Sequence, residues 1–83
     1  MTEIVMYSTA TCPFCIRAKR VFDLRGLEYQ DIDVGRDPSL RQVMMEKSGA
    51  RTVPQIWIND QHIGGCQELL ALESSGKLDS MLS

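Results

Sequence analysis

Thr11-Cys12-Pro13-Phe14-Cys15 is the stretch that decides the fold. It lies between the apolar run Ile4-Val5-Met6-Tyr7 and a helical pattern from Ile16 to Arg25, so a strand feeds straight into a helix. A Cys-x-x-Cys pair stands at the junction. Cys12 falls at the helix N-cap, and Pro13 suits the first helical position, where its missing N–H is not needed. The unpaired N–H groups and dipole of a first turn stabilise negative charge. Cys12 is therefore expected to ionise below the range of a free cysteine, and the thiolate is the nucleophile. Cys15 follows one turn later, placed to attack a mixed disulfide formed at Cys12. The pair reads as redox chemistry.

Three other readings compete with it. A structural disulfide between these two would close a tiny loop, in a chain with three cysteines and no expected secretion signal. Zinc is the stronger rival, because His62 and Cys66 follow at i, i+4 spacing and complete a Cys3His set. Structural zinc pairs, however, sit on loops or knuckles, not where an apolar strand runs into an amphipathic helix. Coincidence is the third.

The chain has 83 residues, enough for one domain with a modest core. Its 43% apolar and 24% charged residues are those of a soluble globular protein. A net charge of −2 argues against nucleic acid as a partner, which normally calls for a basic excess. No apolar run reaches membrane-spanning length, and Met1-Thr2-Glu3 carries no positive n-region. The expectation is a cytoplasmic protein, where thiols stay reduced and a Cys-x-x-Cys pair is catalytic rather than structural.

Taken in order, Glu3 to Ser8 reads as a central strand covered on both faces. The helix from Pro13 puts Phe14, Ala18, Val21 and Phe22 on one face and ends at Gly26. Arg17, Lys19, Arg20 and Arg25 fall on other faces, as a solvated surface. Leu27 to Asp33 alternates only in part and is expected at a sheet edge. Asp37 caps a helix beginning at Pro38, with Leu40, Val43 and Met44 as its apolar stripe and Gly49 as its stop. Gln55-Ile56-Trp57-Ile58 and Gln61-His62-Ile63 form a hairpin about Asn59-Asp60. Gly64-Gly65 then opens a helix from Cys66 to Ser75 carrying Leu69, Leu70 and Leu72, before a short turn with Leu78, Met81 and Leu82. The order β-α-β-α-β-β-α predicts an α/β fold: a four-stranded mixed sheet with helices on both faces, its first crossover parallel.

Thr52-Val53-Pro54 stands at a strand entry, where proline is tolerated. Together with Cys12-Pro13-Phe14-Cys15 upstream and Gly64-Gly65-Cys66 downstream, it makes the chain resemble the glutaredoxins, the glutathione-dependent branch of the thioredoxin-like fold. The resemblance spans essentially residues 1–83 as one glutaredoxin domain. It implies a glutathione-dependent thiol–disulfide oxidoreductase acting on protein disulfides and glutathione mixed disulfides, with no metal. Cys12 would be the attacking thiolate and Cys15 the resolving thiol. The site for glutathione would comprise Phe14, Arg41, Thr52, Val53, Pro54, Gly65, Cys66 and Gln67. Within it, Pro54 would be cis and pack against the disulfide, and the Val53 backbone would pair with the cysteinyl unit of glutathione. The N–H groups of Cys66 and Gln67 would hold the γ-glutamyl carboxylate. Arg41 would meet the glycyl carboxylate, and Phe14 would wall the groove.

Two departures stand out: Thr9 where many members have lysine, and Gln67 where they often have Asp or Ser. Phe14 replaces the commoner tyrosine. Cys66 itself reads as a packed residue used for its backbone, and His62 as a surface residue of the hairpin. The implied partners are glutathione, disulfide-bonded or glutathionylated proteins and, indirectly, glutathione reductase, with a monomer as the expected state. Two alternatives are a thioredoxin-like reductant recycled by a flavoprotein reductase and an iron–sulfur or zinc carrier. The Gly64-Gly65-Cys66 platform and Arg41 weigh against the first, and Pro13 against the second.

Overall fold

The computed structural model describes residues 2–82. In chain order the elements are β1 (Ile4–Ser8), α1 (Pro13–Leu24), β2 (Gln30–Asp33), α2 (Pro38–Ser48), β3 (Gln55–Ile58), β4 (Gln61–Gly64), α3 (Cys66–Ser75) and α4 (Lys77–Leu82). The sheet order is β2-β1-β3-β4, with β1 and β2 parallel and the other pairs antiparallel. The four-stranded mixed sheet expected from the sequence is thus present, with β2 at one edge.

The apolar run of β1 reflects its central place. Alternate side chains point to opposite faces, so Ile4 and Met6 pack with Ile56 and Ile58 under Ala18, Val21, Phe22, Leu69 and Leu78. Tyr7 turns the other way to Val34 and Met44, with Val5, Ile32, Leu40 and Trp57 around them. Helices α1, α3 and α4 therefore cover one face and α2 the other.

Five local expectations are corrected. β2 begins at Gln30 rather than Leu27, because Leu27 and Tyr29 pack against the core instead of joining the ladder. Phe14 is not a core residue: it is 53% exposed, and Cys15 takes the inward position of the first turn. On α2, Val43 is exposed, while Met45 packs beside Met44. The terminal turn is a helix, α4, whose Leu78 is buried. Arg25, expected in solvent, bonds both Glu73 of α3 and Asp79 of α4, tying the end of α1 to the two last helices.

Local chemistry sets the element ends. The Asp37 carboxylate accepts from the N–H of Ser39 at 3.0 Å and of Leu40 at 3.3 Å, an N-cap that leaves Pro38 at the first position. Asn59 and Asp60, with φ of 50° and 66°, give the paired left-handed residues of a tight hairpin turn. Gly64 is the most constrained of the turn residues. Its φ is +118°, and a Cβ there would come within 2.7 Å of the Glu68 Oε1 that accepts the Gly65 N–H.

Gly64→Ala combines a disfavoured backbone with a collision, whereas Gly76 (φ +80°) has nothing within 4 Å of its would-be Cβ. Gly76→Ala should cost about 1 kcal/mol, the left-handed penalty alone. Gly64→Ala should cost about 1–2 kcal/mol more, through Glu68 and its cap. Thermal melting distinguishes them, since each kcal/mol moves the midpoint of a domain this size by about 4–8 °C. Equal losses would contradict the steric account.

Candidate active site

β1 ends at Ser8, and a short loop carries the chain to Cys12, which caps α1 with extended backbone (φ −82°, ψ 118°). Pro13 opens the helix, and the Ile16 N–H donates to the Cys12 carbonyl at 3.1 Å. All three cysteines are free thiols, Cys12 half-buried and Cys15 and Cys66 buried. The spacing thus puts two sulfurs on one helical turn in unlike surroundings.

As a thiol, Cys12 makes no capping bond to the helix; its Sγ lies 3.8 Å from the Val53 carbonyl. Burial pushes its ionisation up, but the Cys15 N–H, the Cys15 thiol and the Phe14 N–H outweigh burial and hold it below the ordinary thiol value. The helix end that the sequence placed at Cys12 acts through these contacts. Cys15 behaves oppositely. Burial, its bond to Cys12 and the neighbouring charge push it up to about 11, against opposing help from the Thr9 backbone and Lys19. Burial also pushes the Cys66 thiol up, which fits a packed sulfur.

Beside Cys12 opens a groove of about 440 Å³, within the size range of small-ligand sites. Phe14 stands on one side, Thr52, Val53 and Pro54 on another, and Gly65, Cys66 and Gln67 at the start of α3 close it. The Val53–Pro54 peptide is cis. Seven of the eight residues expected to bind glutathione therefore border one cavity. Arg41 does not. Its Nη2 donates to the Arg51 carbonyl at 3.1 Å, bracing the segment that leads to Thr52.

The start of α3 owes its form to the two glycines. The Glu68 carboxylate accepts the Gly65 N–H at 2.7 Å, and the Pro54 carbonyl would stand 3.3 Å from a Cβ on Gly65. A side chain there would crowd the Thr52–Pro54 segment, and the next N–H groups, of Cys66 and Gln67, belong to the first turn of the helix.

Sequence reasoning missed Gln55. Its side chain, 4% exposed, donates to the Thr52 carbonyl at 2.9 Å and hydroxyl at 3.2 Å, and its Oε1 pairs with His62 Nε2 at 2.8 Å. His62 tilts over Trp57 with ring centroids 4.7 Å apart and lines the groove. Buried Gln55 thereby links the exposed Thr52 to His62, which is the exposed hairpin residue expected from the sequence and also lines the groove. The signal was an amide at the head of the otherwise apolar Ile56-Trp57-Ile58 run. Among the described residues, no three or more of His, Cys, Asp and Glu come together as a metal site, so Cys12, Cys15, His62 and Cys66 do not form the Cys3His set. No helix among the described residues is long and apolar enough to cross a membrane.

The opposed environments of the two thiols predict a two-step titration. Thiolate absorbance should rise first with Cys12, below the free-thiol value of about 8.5, and later with the two buried thiols, Cys66 above its ordinary value and Cys15 near about 11. Alkylation at neutral pH should mark Cys12 and spare Cys15, and Cys12→Ser should remove the first step. A first step surviving in Cys12→Ser would contradict the assignment.

The family model described as Glutaredoxin matches residues 4–63. Over 83 residues the chain is 49% identical to the glutaredoxin of Pseudomonas aeruginosa, covering 100% of this chain and 99% of the relative. It is 42% identical to glutaredoxin 3 of Escherichia coli over 82 residues, 99% of each chain. The solution structure of glutaredoxin from Brucella melitensis superposes with a TM-score of 0.86 at 46% identity, covering 99% of this chain and 89% of that one. The crystal structure of the buckwheat glutaredoxin–glutathione complex does so with a TM-score of 0.90 at 33% identity, covering 98% and 76%. With the family model matching residues 4–63 and glutaredoxins 42–49% identical along nearly the whole of both chains, this chain belongs to the glutaredoxin family.

Proposed function

We propose that the protein is a dithiol glutaredoxin that uses glutathione to reduce glutathione mixed disulfides and protein disulfides. The observation that carries this is the position of the Cys12 thiol at Val53, on the border of a groove closed by the start of α3. Glutathione fits that groove with its cysteinyl backbone along Val53, in the manner of an added strand. Its γ-glutamyl carboxylate meets the N–H groups of Cys66 and Gln67, and Phe14 covers the peptide. Arg41 braces Arg51 with one N–H and has the rest of its guanidinium for the glycyl carboxylate.

On a glutathione mixed disulfide, the Cys12 thiolate attacks the glutathione sulfur. A Cys12–glutathione bond forms, and the substrate leaves as a thiolate that takes a proton from water. A second glutathione thiolate then attacks the bound glutathione sulfur, giving glutathione disulfide and free Cys12. On a protein disulfide, Cys12 becomes bonded to one substrate cysteine. Cys15 attacks Cys12 and releases the substrate with both of its sulfurs reduced. Two glutathiones then restore the dithiol, and glutathione reductase recycles their disulfide. Internal attack by Cys15 benefits from high effective concentration.

A coupled assay of glutathione, glutathione reductase and a small mixed disulfide tests the proposal; no acceleration by the protein would sink it. Within that assay the two thiols should separate. Cys15→Ser should keep removal of glutathione and lose most reduction of protein disulfides, while Cys12→Ser should lose both. Arg41→Ala should weaken use of glutathione about fivefold, on the order of 1 kcal/mol for an exposed charge-assisted contact. Its reduction by dithiothreitol should not change. Equal losses with both reductants would show that Arg41 serves the fold instead.

A further inference from the structure

Lys19 reads from the sequence as part of a solvated helix face, yet its ammonium is not free in solvent. It lies 2.8 Å from Asp31 Oδ2, and the other oxygen, Oδ1, accepts from the Ser8 hydroxyl at 2.5 Å. Ser8 is buried at the end of β1, next to Thr9, whose backbone contacts the Cys15 sulfur. Asp31 pairs with Met6 in the β1–β2 register, so its side chain stands on the face that α1 covers. The carboxylate is thus fixed from below and holds Lys19 against α1.

Lys19 is also the i+4 neighbour of Cys15 on the same helix, a spacing that places two side chains one above the other. Among the described residues, the following groups act on the resolving thiol or on Lys19 beside it. Cys12 and Lys19 come from α1, the Thr9 backbone from the preceding loop, and Asp31 with Tyr29 stand beyond Lys19. Of these Lys19 is the only cation. Its interaction with Cys15 is reciprocal: it favours the Cys15 thiolate, and a charged Cys15 favours the ammonium.

We propose that Lys19, pinned by Asp31 and Ser8, is a positioning residue for the resolving step, its fixed positive charge stabilising Cys15 as a thiolate while Cys15 attacks Cys12. This rests on the dithiol route of the proposed function. In that step the Cys15 proton passes to water, a Cys12–Cys15 disulfide forms, and the Cys12–substrate bond breaks. The substrate sulfur leaves as a thiolate and is protonated by water. Lys19 keeps its proton throughout. The monothiol route, which never uses Cys15, does not draw on Lys19. The same network explains how a chain with Thr9 rather than a lysine before Cys12 still keeps a cation near the pair, now on the side of the second sulfur.

The test is the lifetime of the Cys12–substrate mixed disulfide, captured by acid quenching as the reduced protein turns over a disulfide-bonded model protein. For each unit by which the Cys15 ionisation rises, the thiolate fraction falls about tenfold while its nucleophilicity gains about threefold. Lys19→Met should therefore lengthen the lifetime at neutral pH, by about threefold for each unit of rise, and the deficit should shrink as pH approaches the Cys15 ionisation. Lys19→Arg, which keeps the charge, should restore the wild-type lifetime. Removal of glutathione from a small mixed disulfide should be unchanged in both variants. An unaltered lifetime in Lys19→Met, or an equal loss on both routes, would overturn the proposal. Cys15→Ser in the same experiment reads the underlying route separately. If it still releases protein substrate at the wild-type rate, the dithiol reading falls and Lys19 with it. If it does not, while Lys19→Met behaves as wild type, the Lys19 proposal falls alone.

Discussion

Everything at this site depends on how one helix start divides negative charge between two sulfurs. The first turn of α1 can favour a thiolate at Cys12 because the Phe14 and Cys15 N–H groups have no helical acceptor there. The same turn carries Cys15 inward, where burial opposes ionisation and its N–H and thiol help to hold the charge on Cys12. One sulfur is thereby ready to attack and the other held in reserve. A symmetric environment would leave two ordinary thiols and no order of events.

The topology supplies the groove beside that charge. Because β1 and β3 run antiparallel with Tyr7 opposite Gln55, the residues after β1 meet those that precede β3. Cys12 therefore comes to Val53 without any long-range coincidence. Pairing of Gly64 with Ile56 then returns β4 so that α3 begins beside Pro54. The groove is built from three element ends, each free to offer unpaired backbone groups, on a sheet whose core is packed on both faces.

Much of this was legible in the sequence. The Cys-x-x-Cys at a strand-to-helix junction, the Asp37 cap, the Asn59-Asp60 turn and the Gly64-Gly65 break each have a local cause, and each element stands where its cause puts it. What was not legible depends on partners far along the chain. Phe14 has helical spacing for the core, but Cys15 takes the inward position of the first turn and Phe14 borders the groove. Leu27 and Tyr29 have the composition of a strand but are drawn to the core. Lys19, Arg25 and Gln55 looked like solvated or strand residues because Asp31, Glu73, Asp79 and Thr52 were not visible as neighbours. Arg41 showed its charge but not its bond to Arg51.

Glutathione bonded to Cys12 should lie along Val53 with a carboxylate at the start of α3, and on that pose the proposed chemistry stands or falls. Amide chemical shifts of the Cys15→Ser protein, before and after its conversion to the Cys12–glutathione mixed disulfide, read the pose directly. Large shifts are expected at Val53, Cys66 and Gln67, with little change on α2 beyond Arg41 or on α4. Shifts confined to the Cys12 loop, with Val53 and the α3 amides unmoved, would contradict it.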